Sequence, residues 1–377
     1  MNPKNARKFF PIVENQIYLN HAACSPMSTK VKNAIEAFLH LRNLEKADDF
    51  KTDLLEAKNL RETIAELINS SSDRIALTSN TTHGINLFAS GLQWKEGDEI
   101  LISKMEFPAN VYPYLNLQKK GVKIRWMPEK DGRIPLEYIT TFVNDKTKLL
   151  SLSYIQYLNG YKADLQAIGK FCKENNIIFI VDGIQGLGAF QIDLEKTHID
   201  GIATGGHKWL MSPKGTGFVY VSENLQGQIK QSHLGWLSVE NPFDFHNYDQ
   251  TLDKTAQRYE LATPNQIGIY GMNAAIKLLL EVGIARISKH LTNITGFLRE
   301  ELETSGYEIL TPFEDRERGS IVLFSAGDPD KNQQIFKALL KKGITISYRE
   351  GNLRVSPHFY NTKDDMAQFM DNLEQTT

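Results

Sequence analysis

The sequence predicts an α/β protein built on a mostly parallel sheet of seven strands. Seven short apolar runs occur between residues 74 and 221, and patterns with the helical period separate most of them. Strands that are apolar on both faces and alternate with helices are typical of a parallel sheet covered by helices on each side. The predicted strands are residues 74–78, 99–103, 123–127, 148–153, 177–181, 201–204 and 217–221, and the helices between them are 82–91, 111–120, 136–143 and 165–175.

The pattern changes after about residue 265. Long helices at 266–281 and 284–304 come first, and strands at 320–324 and 344–347 and a helix at 363–373 follow. This order predicts a second, smaller α+β domain that the N-terminal segment joins. We therefore predict a large domain of residues 20–277 and a small domain formed by residues 1–19 and 278–377.

Composition excludes several functional classes. The net charge of the 377 residues is -2, which argues against nucleic acid as the main partner. No apolar run reaches 18 residues and the N-terminus is polar, so we expect neither a transmembrane helix nor a signal peptide. The chain has no metal-binding motif such as Cys-x-x-Cys. Its two cysteines, Cys24 and Cys172, fit a reducing cytoplasm, where we expect the protein to reside.

One predicted strand ends in an acid. Asp182 directly follows the apolar run 177–181, and Gln185 comes three residues later. Ligands of doubly wound sheets bind outside the carboxyl ends of the strands, so Asp182 is a candidate for holding a cationic group. The alternative is that Asp182 only starts a turn or caps the next helix.

The following strand leads into Gly205, Gly206, His207 and Lys208. The glycines let the backbone approach a ligand closely. A lysine buried there would lose water, which lowers its pKa and favours the free amine that attacks an aldehyde. The alternative is a surface lysine after a loop. Gly201 and Gly206 have the spacing of a P-loop, but His207 stands in the lysine position, so an ATP cradle is not expected.

Thr81 and Thr82 lie between a predicted strand and an amphipathic helix. Hydroxyls and unpaired N–H groups at a helix N-terminus form a phosphate site, although an ordinary N-cap is the alternative. With Asp182 and Lys208 they supply the parts of a pyridoxal-phosphate (PLP) site: a phosphate anchor, an acid for the pyridinium nitrogen and an amine for the aldehyde. Such a ring accepts electrons from the substrate Cα, and a displaced lysine can move the Cα proton.

The order of these motifs resembles the class V aminotransferases, a family of fold-type I PLP enzymes. Within the family, the chain is most similar to the branch of cysteine desulfurases and isopenicillin-N epimerase-like proteins. The resemblance implies a fold-type I PLP-dependent transferase that works as a homodimer on an amino acid. It covers nearly the whole chain, through residues 18–23 (YLNHAA), 81–86 (TTHGIN), 106–110 (EFPAN), 182–185 (DGIQ), 206–208 (GHK), 262–265 (ATPN) and 353–357 (LRVSP).

The resemblance also implies roles for individual residues at the cofactor ring and the substrate. Lys208 would form the Schiff base, Asp182 would pair with the pyridinium nitrogen, and Gln185 would hydrogen-bond the ring hydroxyl. Arg354 would hold the substrate carboxylate through a bidentate pair. The alternative for Arg354 is a surface arginine on an edge strand.

At the phosphate, the resemblance implies contacts from Thr82 and His207, with the backbone of Thr81. Thr263 would reach the phosphate of the other subunit. The alternative for Thr263 is a helix N-cap before Pro264.

Several positions depart from the family pattern. Phe107 stands where desulfurases usually carry a histidine over the ring; it can stack on the pyridine but cannot carry a proton, and a core aromatic is its alternative. Gly205 replaces a serine that often contacts phosphate, and Tyr157 replaces an asparagine near the ring hydroxyl. No cysteine occurs from residue 344 to 354, where desulfurases carry their sulfur acceptor. Cys24 could replace it, but the alternative is an inert small residue.

Three functions fit these observations. We expect transamination through Lys208, and the first alternative is a C–S lyase or an isopenicillin-N epimerase-like enzyme that lacks the desulfurase cysteine. These reactions share a carbanion at the substrate Cα and differ in what leaves or returns. The second alternative is a non-catalytic protein that keeps the fold for binding.

Overall fold

The computed structural model describes residues 1–312 and 314–376. Phe313 and Thr377, which belong to the predicted small domain, lie outside the described residues. The strands are β1 Ile17–Tyr18, β2 Ile75–Thr78, β3 Glu99–Ser103, β4 Lys123–Met127, β5 Thr147–Ser153, β6 Ile178–Asp182, β7 Gly201–Gly205, β8 Gly217–Val221, β9 Glu308–Ile309, β10 Val322–Ser325, β11 Ile344–Thr345, β12 Ser347–Arg349 and β13 Asn352–Val355. The helices are α1 Pro3–Ala6, α2 Thr29–Leu44, α3 Phe50–Ile68, α4 Thr81–Gly91, α5 Tyr112–Leu115, α6 Leu136–Thr140, α7 Leu165–Glu174, α8 Glu223–Gln228, α9 Gln266–Val282, α10 Ile284–Thr304, α11 Pro329–Lys341 and α12 Lys363–Glu374.

The central sheet has seven strands in the order β2-β8-β7-β6-β5-β3-β4. β8 runs antiparallel to both of its neighbours, and the other adjacent pairs are parallel. The predicted mostly parallel seven-stranded sheet is therefore confirmed. Asp182 and Gly205 are the last residues of β6 and β7. Because these strands are parallel neighbours, the two residues lie at the same edge of the sheet.

Helix α4 lies directly against this sheet, and Gly84 permits the contact. A Cβ at Gly84 would lie 2.5 Å from Cγ1 of Val219 and 2.7 Å from Cβ of Ala203, closer than packed carbon atoms allow. The absence of that side chain lets the helix axis come close to β7 and β8. The N-terminus of α4 is thereby held near the ends of the strands that carry the candidate site.

A second sheet contains β12-β13-β10-β9, all antiparallel, and β1 pairs with β11 in parallel. Ile17 lies opposite Ile344, so the N-terminal segment contacts the C-terminal part of the chain. The predicted domain division at residue 277 falls inside α9 and stays a prediction.

Some local predictions were wrong. The predicted helix 111–120 is the short helix α5 followed by the 3-10 helix Asn116–Lys120, which is capped by Gly121 with a φ of 79°. The predicted strand 344–347 is divided into β11 and β12. No single helix in the described part of the chain has the length and apolar composition to cross a bilayer; α9 and α10 pass only as a pair, which is bent by 75°.

Candidate active site

A cavity of about 570 Å³ opens at the carboxyl edge of the central sheet. Its walls come from residues 22–23, the start of α4, the loops after β3 and β5, the ends of β6 and β7, and the hairpin β12–β13. Of the nine residues predicted for the site, eight line this cavity: Thr81, Thr82, Phe107, Asp182, Gln185, His207, Lys208 and Arg354. The structure thus brings together side chains that are up to 273 positions apart in the sequence, from Thr81 to Arg354.

Asp182 is the last residue of β6 and is only 1% exposed. Its Oδ1 accepts a hydrogen bond of 2.9 Å from the N–H of Ile184, so it does start the local turn. Burial raises the pKa of Asp182 and the nearby carboxylate of Glu106 raises it further, whereas that hydrogen bond and Lys208 lower it. A cation at the other carboxylate oxygen would stabilise the ionised form. Asp182 can therefore both start the turn at Ile184 and hold a cationic group.

Lys208 is 9% exposed and follows β7 by three residues. Its Nζ lies 5.5 Å from the ring centroid of Phe107, and no described carboxylate lies within 4.0 Å of it. Burial lowers its pKa; Arg354 and Arg349 lower it further, and Asp182 opposes the change. The free amine is therefore far more populated at neutral pH than in an exposed lysine, and the alternative of a surface lysine is wrong.

Glu106 is a buried acid to which the sequence analysis gave no role. Its carboxylate accepts hydrogen bonds from the N–H of Ser153 at 2.8 Å, from Nδ2 of Asn110 at 2.9 Å and from Nε2 of Gln156 at 2.7 Å, and also from the Ser153 hydroxyl. Ser153 lies opposite Asp182 in the sheet. Glu106 therefore fixes the loop that carries Phe107 to the strand beside Asp182. Its position before Phe107 in the EFPAN segment was the available signal.

The N-terminus of α4 forms one end of the cavity. Asn80 is the N-cap, because its Oδ1 accepts a 2.9 Å hydrogen bond from the N–H of His83. The hydroxyls of Thr81 and Thr82 are thus not needed for capping, and the N-cap alternative for them is wrong. Oγ1 of Thr81 is buried without a hydrogen-bond partner. An oxyanion at this helix end would satisfy that hydroxyl and the unpaired N–H groups.

His207 is half-buried beside Lys208. Burial lowers its pKa to about 4, and the positive charges of Lys208 and Lys214 contribute. The imidazole is neutral at neutral pH in this structure, so it would meet a phosphate first as an N–H donor. A bound dianion would in turn raise the pKa of His207.

Arg354 lies on β13 between β12 and β10 and is 2% exposed. Its guanidinium donates to the carbonyl of Tyr157 and, at 3.3 Å, to Oγ of Ser347, while Nε is buried without a partner. Burial lowers its pKa to about 10, which leaves it charged at neutral pH. Arg354 is therefore not an exposed arginine on an edge strand. It is a buried cation at the cavity that lacks a carboxylate partner among the described residues.

Phe107 and Tyr157 form an aromatic wall of the cavity. Their ring centroids lie 5.2 Å apart at an angle of 73°, an edge-to-face arrangement. Phe107 is 42% exposed, so it is not the core aromatic that was its alternative.

Two charged residues of the site were missed. Arg349 and Glu350 line the same cavity from the hairpin β12–β13. Neither residue was predicted for the site; residues 344–354 were noted only for their lack of a cysteine. The dipeptide Glu350-Gly351 between strand-like residues was the available signal for a tight turn.

Thr263 does not join the other predicted residues within one chain. It is exposed and lines a separate cavity of about 260 Å³ with Ser79, His83 and Glu260. It is not a helix N-cap either, because Asn265 caps α9 by accepting a 3.1 Å hydrogen bond from the N–H of Gly268.

Neither cysteine lines the cavity of Lys208. Cys24 is half-buried and Cys172 is buried in α7, where burial raises its pKa to about 12. Among the residues that the structure describes, no cluster of three or more His, Cys, Asp or Glu side chains could hold a metal ion.

Comparisons with known proteins agree with this arrangement. The family model for aminotransferase class-V matches residues 17–369. A probable cysteine desulfurase of Methanothermobacter thermautotrophicus is 27% identical, with 100% of this chain and 98% of that protein covered. The uncharacterized aminotransferase YcbU of Bacillus subtilis is 26% identical with the same coverage.

Solved structures confirm the predicted fold class. The apo cysteine desulfurase of Thermococcus onnurineus has a TM-score of 0.89 at 22% identity and covers 100% of this chain, with 98% of its own length matched. A C-DES mutant with glycine covalently linked to its PLP cofactor has a TM-score of 0.91 at 22% identity, with 98% and 99% of the two chains covered. At this level of identity, the likeness establishes the fold.

Proposed function

The chain belongs to the aminotransferase class-V family and is a PLP enzyme, and we propose that it transfers the amino group of an amino acid. One observation carries the proposal: the unpaired amine of Lys208 and the carboxylate of Asp182 line one cavity that Arg354 also enters. A hydroxyl of Thr81 that is buried without a partner, at the N-terminus of α4, fits the phosphate of the cofactor.

When bound, the cofactor supplies an aldehyde that captures amines and a ring that accepts electrons from the substrate Cα. Asp182 would hold the proton on the ring nitrogen, because its side chain lines the cavity and the N–H of Ile184 occupies Oδ1. Thr81, Thr82 and His207 would bind the phosphate through N–H and O–H donors. Gln185 would donate to the ring hydroxyl from its amide.

Lys208 would move the proton of the substrate Cα. Burial makes its Nζ a free amine, which is the form that accepts a proton. Phe107 can neither give nor take a proton, so Lys208 is best placed both to remove the proton and to return it. Arg354 would orient the substrate by binding its α-carboxylate through Nε and a terminal nitrogen.

The second candidate is cleavage of a C–S bond. It is favoured by relatives named as probable cysteine desulfurases and by the fold neighbour named as the cystine C–S lyase C-DES. The same residues would serve this reaction, since it also begins with loss of the Cα proton. A protein-bound persulfide is disfavoured, because residues 344–354, where the family resemblance implies the sulfur-accepting cysteine, contain no cysteine.

The proposal is tested first by cofactor attachment. Borohydride reduction of the yellow holoenzyme should fix the cofactor on a peptide that contains Lys208, and Lys208→Ala should lose this adduct. Lys214→Ala is the matched control and should retain it. An adduct on another lysine in Lys208→Ala would contradict the assignment.

A panel of amino acids then separates the two reactions. Formation of a keto acid together with pyridoxamine phosphate supports transamination. Pyruvate with sulfide or ammonia supports β-elimination, and loss of chirality alone supports epimerisation. If no amino acid reacts, transamination of a free amino acid is contradicted, and either the substrate is larger or protein-bound or the chain keeps the fold only for binding.

We also propose a cytoplasmic homodimer in which Thr263 reaches the phosphate of the partner subunit. Support comes from the exposure of Thr263 outside its own Lys208 cavity. Co-expression of Lys208→Ala with Thr263→Val chains tests this arrangement. If Thr263 acts across the interface, the mixed dimer keeps one intact site and about half of the wild-type activity. If Thr263 acts within its own chain, the mixed dimer has no intact site.

A further inference from the structure

The hairpin β12–β13 holds two charged side chains at the cavity. Its turn consists of Glu350, with φ of 47°, and Gly351, with φ of 81°, while Arg349 and Asn352 form the closing pair. Positive φ at both central residues is the geometry of the type I′ hairpin turn. Nδ2 of Asn352 donates to the carbonyl of Glu350 at 3.0 Å, which reinforces the turn. The strand pairing and the turn therefore fix the backbone from which the side chains of Arg349 and Glu350 extend.

Arg349 and Glu350 are neighbours of opposite charge that face the same space. Both line the cavity of Lys208. Within the described residues, neither side chain forms an ion pair or a hydrogen bond, and the two do not approach within 4.0 Å of each other. Their charges act inside the cavity: burial lowers the pKa of Arg354 and Arg349 lowers it further, while burial raises the pKa of Tyr157 and Glu350 raises it further.

The other charged groups of the cavity already have partners in the proposed function. Asp182 serves the cofactor ring, Lys208 the aldehyde, and Arg354 the α-carboxylate of the substrate. One cation, Arg349, and one anion, Glu350, remain beyond these groups. An apolar substrate side chain would cover both charges without compensating them, which costs free energy.

We propose that the substrate carries a second zwitterionic amino-acid head at the far end of its side chain. Arg349 binds the carboxylate of that head in a bidentate pair, and Glu350 binds its ammonium group. A distal carboxylate alone would face Glu350 as a like charge, and a distal ammonium alone would face Arg349. This inference rests on the proposed function, because it names the substrate class of the same site.

Four amino acids with related carbon chains test the proposal on the holoenzyme. LL-2,6-diaminopimelate has the complete distal head, L-2-aminopimelate lacks its ammonium, L-lysine lacks its carboxylate, and L-norleucine lacks both. Each charge-assisted contact changes affinity by about 10- to 100-fold. We therefore expect kcat/KM to be highest for diaminopimelate and to fall by about that factor for each missing group.

The variants Arg349→Gln and Glu350→Gln should each reduce the ratio of kcat/KM for diaminopimelate to kcat/KM for norleucine by about 10- to 100-fold. Lys337→Gln, an exposed change on α11, is the matched control and should keep the ratio. The proposal is overturned if all four compounds react equally. It is also overturned if aminopimelate equals diaminopimelate while Glu350→Gln has no effect.

Failure of the proposed function is recognised separately. Calorimetry measures diaminopimelate binding to the holoenzyme whether or not it reacts. Binding that weakens in both hairpin variants, without turnover, supports the distal site and contradicts the proposed reaction. Turnover of norleucine with no extra affinity for diaminopimelate contradicts the distal site and leaves the reaction standing.

Discussion

The indole N–H of Trp209 donates a 2.7 Å hydrogen bond to Oε1 of Gln185. Because an indole nitrogen only donates, this contact fixes which end of the amide is oxygen. Nε2 of Gln185 therefore points to the carbonyl of Ala22, at 3.0 Å, and keeps a second N–H for the cofactor. Trp209 is itself held, since Nε2 of His358 lies 3.0 Å from its carbonyl. Trp209, the residue after Lys208, thus orients a side chain that lines the cavity.

Trp209→Phe should reduce the free energy of unfolding by about 1–3 kcal/mol, because it leaves the buried Oε1 of Gln185 without a donor. Combining it with Gln185→Leu should recover part of this loss, since both partners are then absent. The double-mutant cycle, measured by urea unfolding, should give a coupling energy of at least about 0.5 kcal/mol. Strict additivity of the two changes would contradict the link.

Trp209→Phe should also change the absorption spectrum of the bound cofactor. If Gln185 loses its fixed orientation, its N–H no longer meets the ring hydroxyl reliably, and the pH titration of the cofactor absorbance should shift. Gln185→Leu should shift it in the same direction. A titration in Trp209→Phe identical to that of the wild type would show that Trp209 only fills space.

Cofactor uptake by the apoenzyme should depend on pH through Lys208. Its pKa is lowered by burial, and only the free amine attacks the aldehyde. The uptake rate should therefore rise with pH and level off well below about 10.4, the value of an ordinary lysine. Stopped-flow absorbance measures the inflection. Asp182→Asn removes an anion that favours the protonated amine, so it should move the inflection to lower pH; an upward shift would contradict this electrostatic account.

Arg354→Lys should raise the KM for amino acids by about 10- to 100-fold, although it keeps the positive charge. The ammonium group of lysine cannot reproduce the bidentate geometry of the guanidinium. The matched measurement uses amines that lack the α-carboxylate, for which this variant and the wild type should differ much less. An equal loss on both kinds of substrate would indicate a packing role only.

Arg61→Met should destabilise the fold by about 3–5 kcal/mol, because it leaves the buried carboxylate of Glu260 without its cation. Nη1 of Arg61 lies 3.0 Å and 3.1 Å from the two oxygens of Glu260, which also accepts the N–H of Leu77. Lys58→Met removes an exposed ion pair from the same helix and should cost about 0–1 kcal/mol. Thermal unfolding measures the loss of stability in both variants. Equal losses would contradict a larger contribution from the buried ion pair.

The central sheet could be predicted because its strands are apolar on both faces, and such runs are visible without any tertiary information. Helices α2 and α3 were not predicted. α2 buries only Val31 and Phe38 on its sixteen residues, so its apolar period is weak. α11 begins at Pro329 after a polar turn, and it also has a largely polar sequence. Such helices depend on tertiary packing, which local patterns do not record.

The candidate site was predicted where residues follow strand ends or helix starts, as with Asp182, Lys208 and Thr81. Glu106 and Trp209 were missed because their importance depends on contacts with Ser153 and Gln185, which lie 47 and 24 positions away. Arg349 and Glu350 were missed because the orientation of a turn toward a cavity is set by the whole small sheet.

The two-residue turn at Glu350-Gly351 has a consequence for what leaves the site. A two-residue turn is too short to form a mobile loop. It could not carry a nucleophilic side chain from the substrate to an acceptor protein. Any fragment split from the substrate side chain would therefore depart into the surrounding water as a free small molecule. The hairpin therefore offers no mobile loop that could pass such a fragment directly to an acceptor protein.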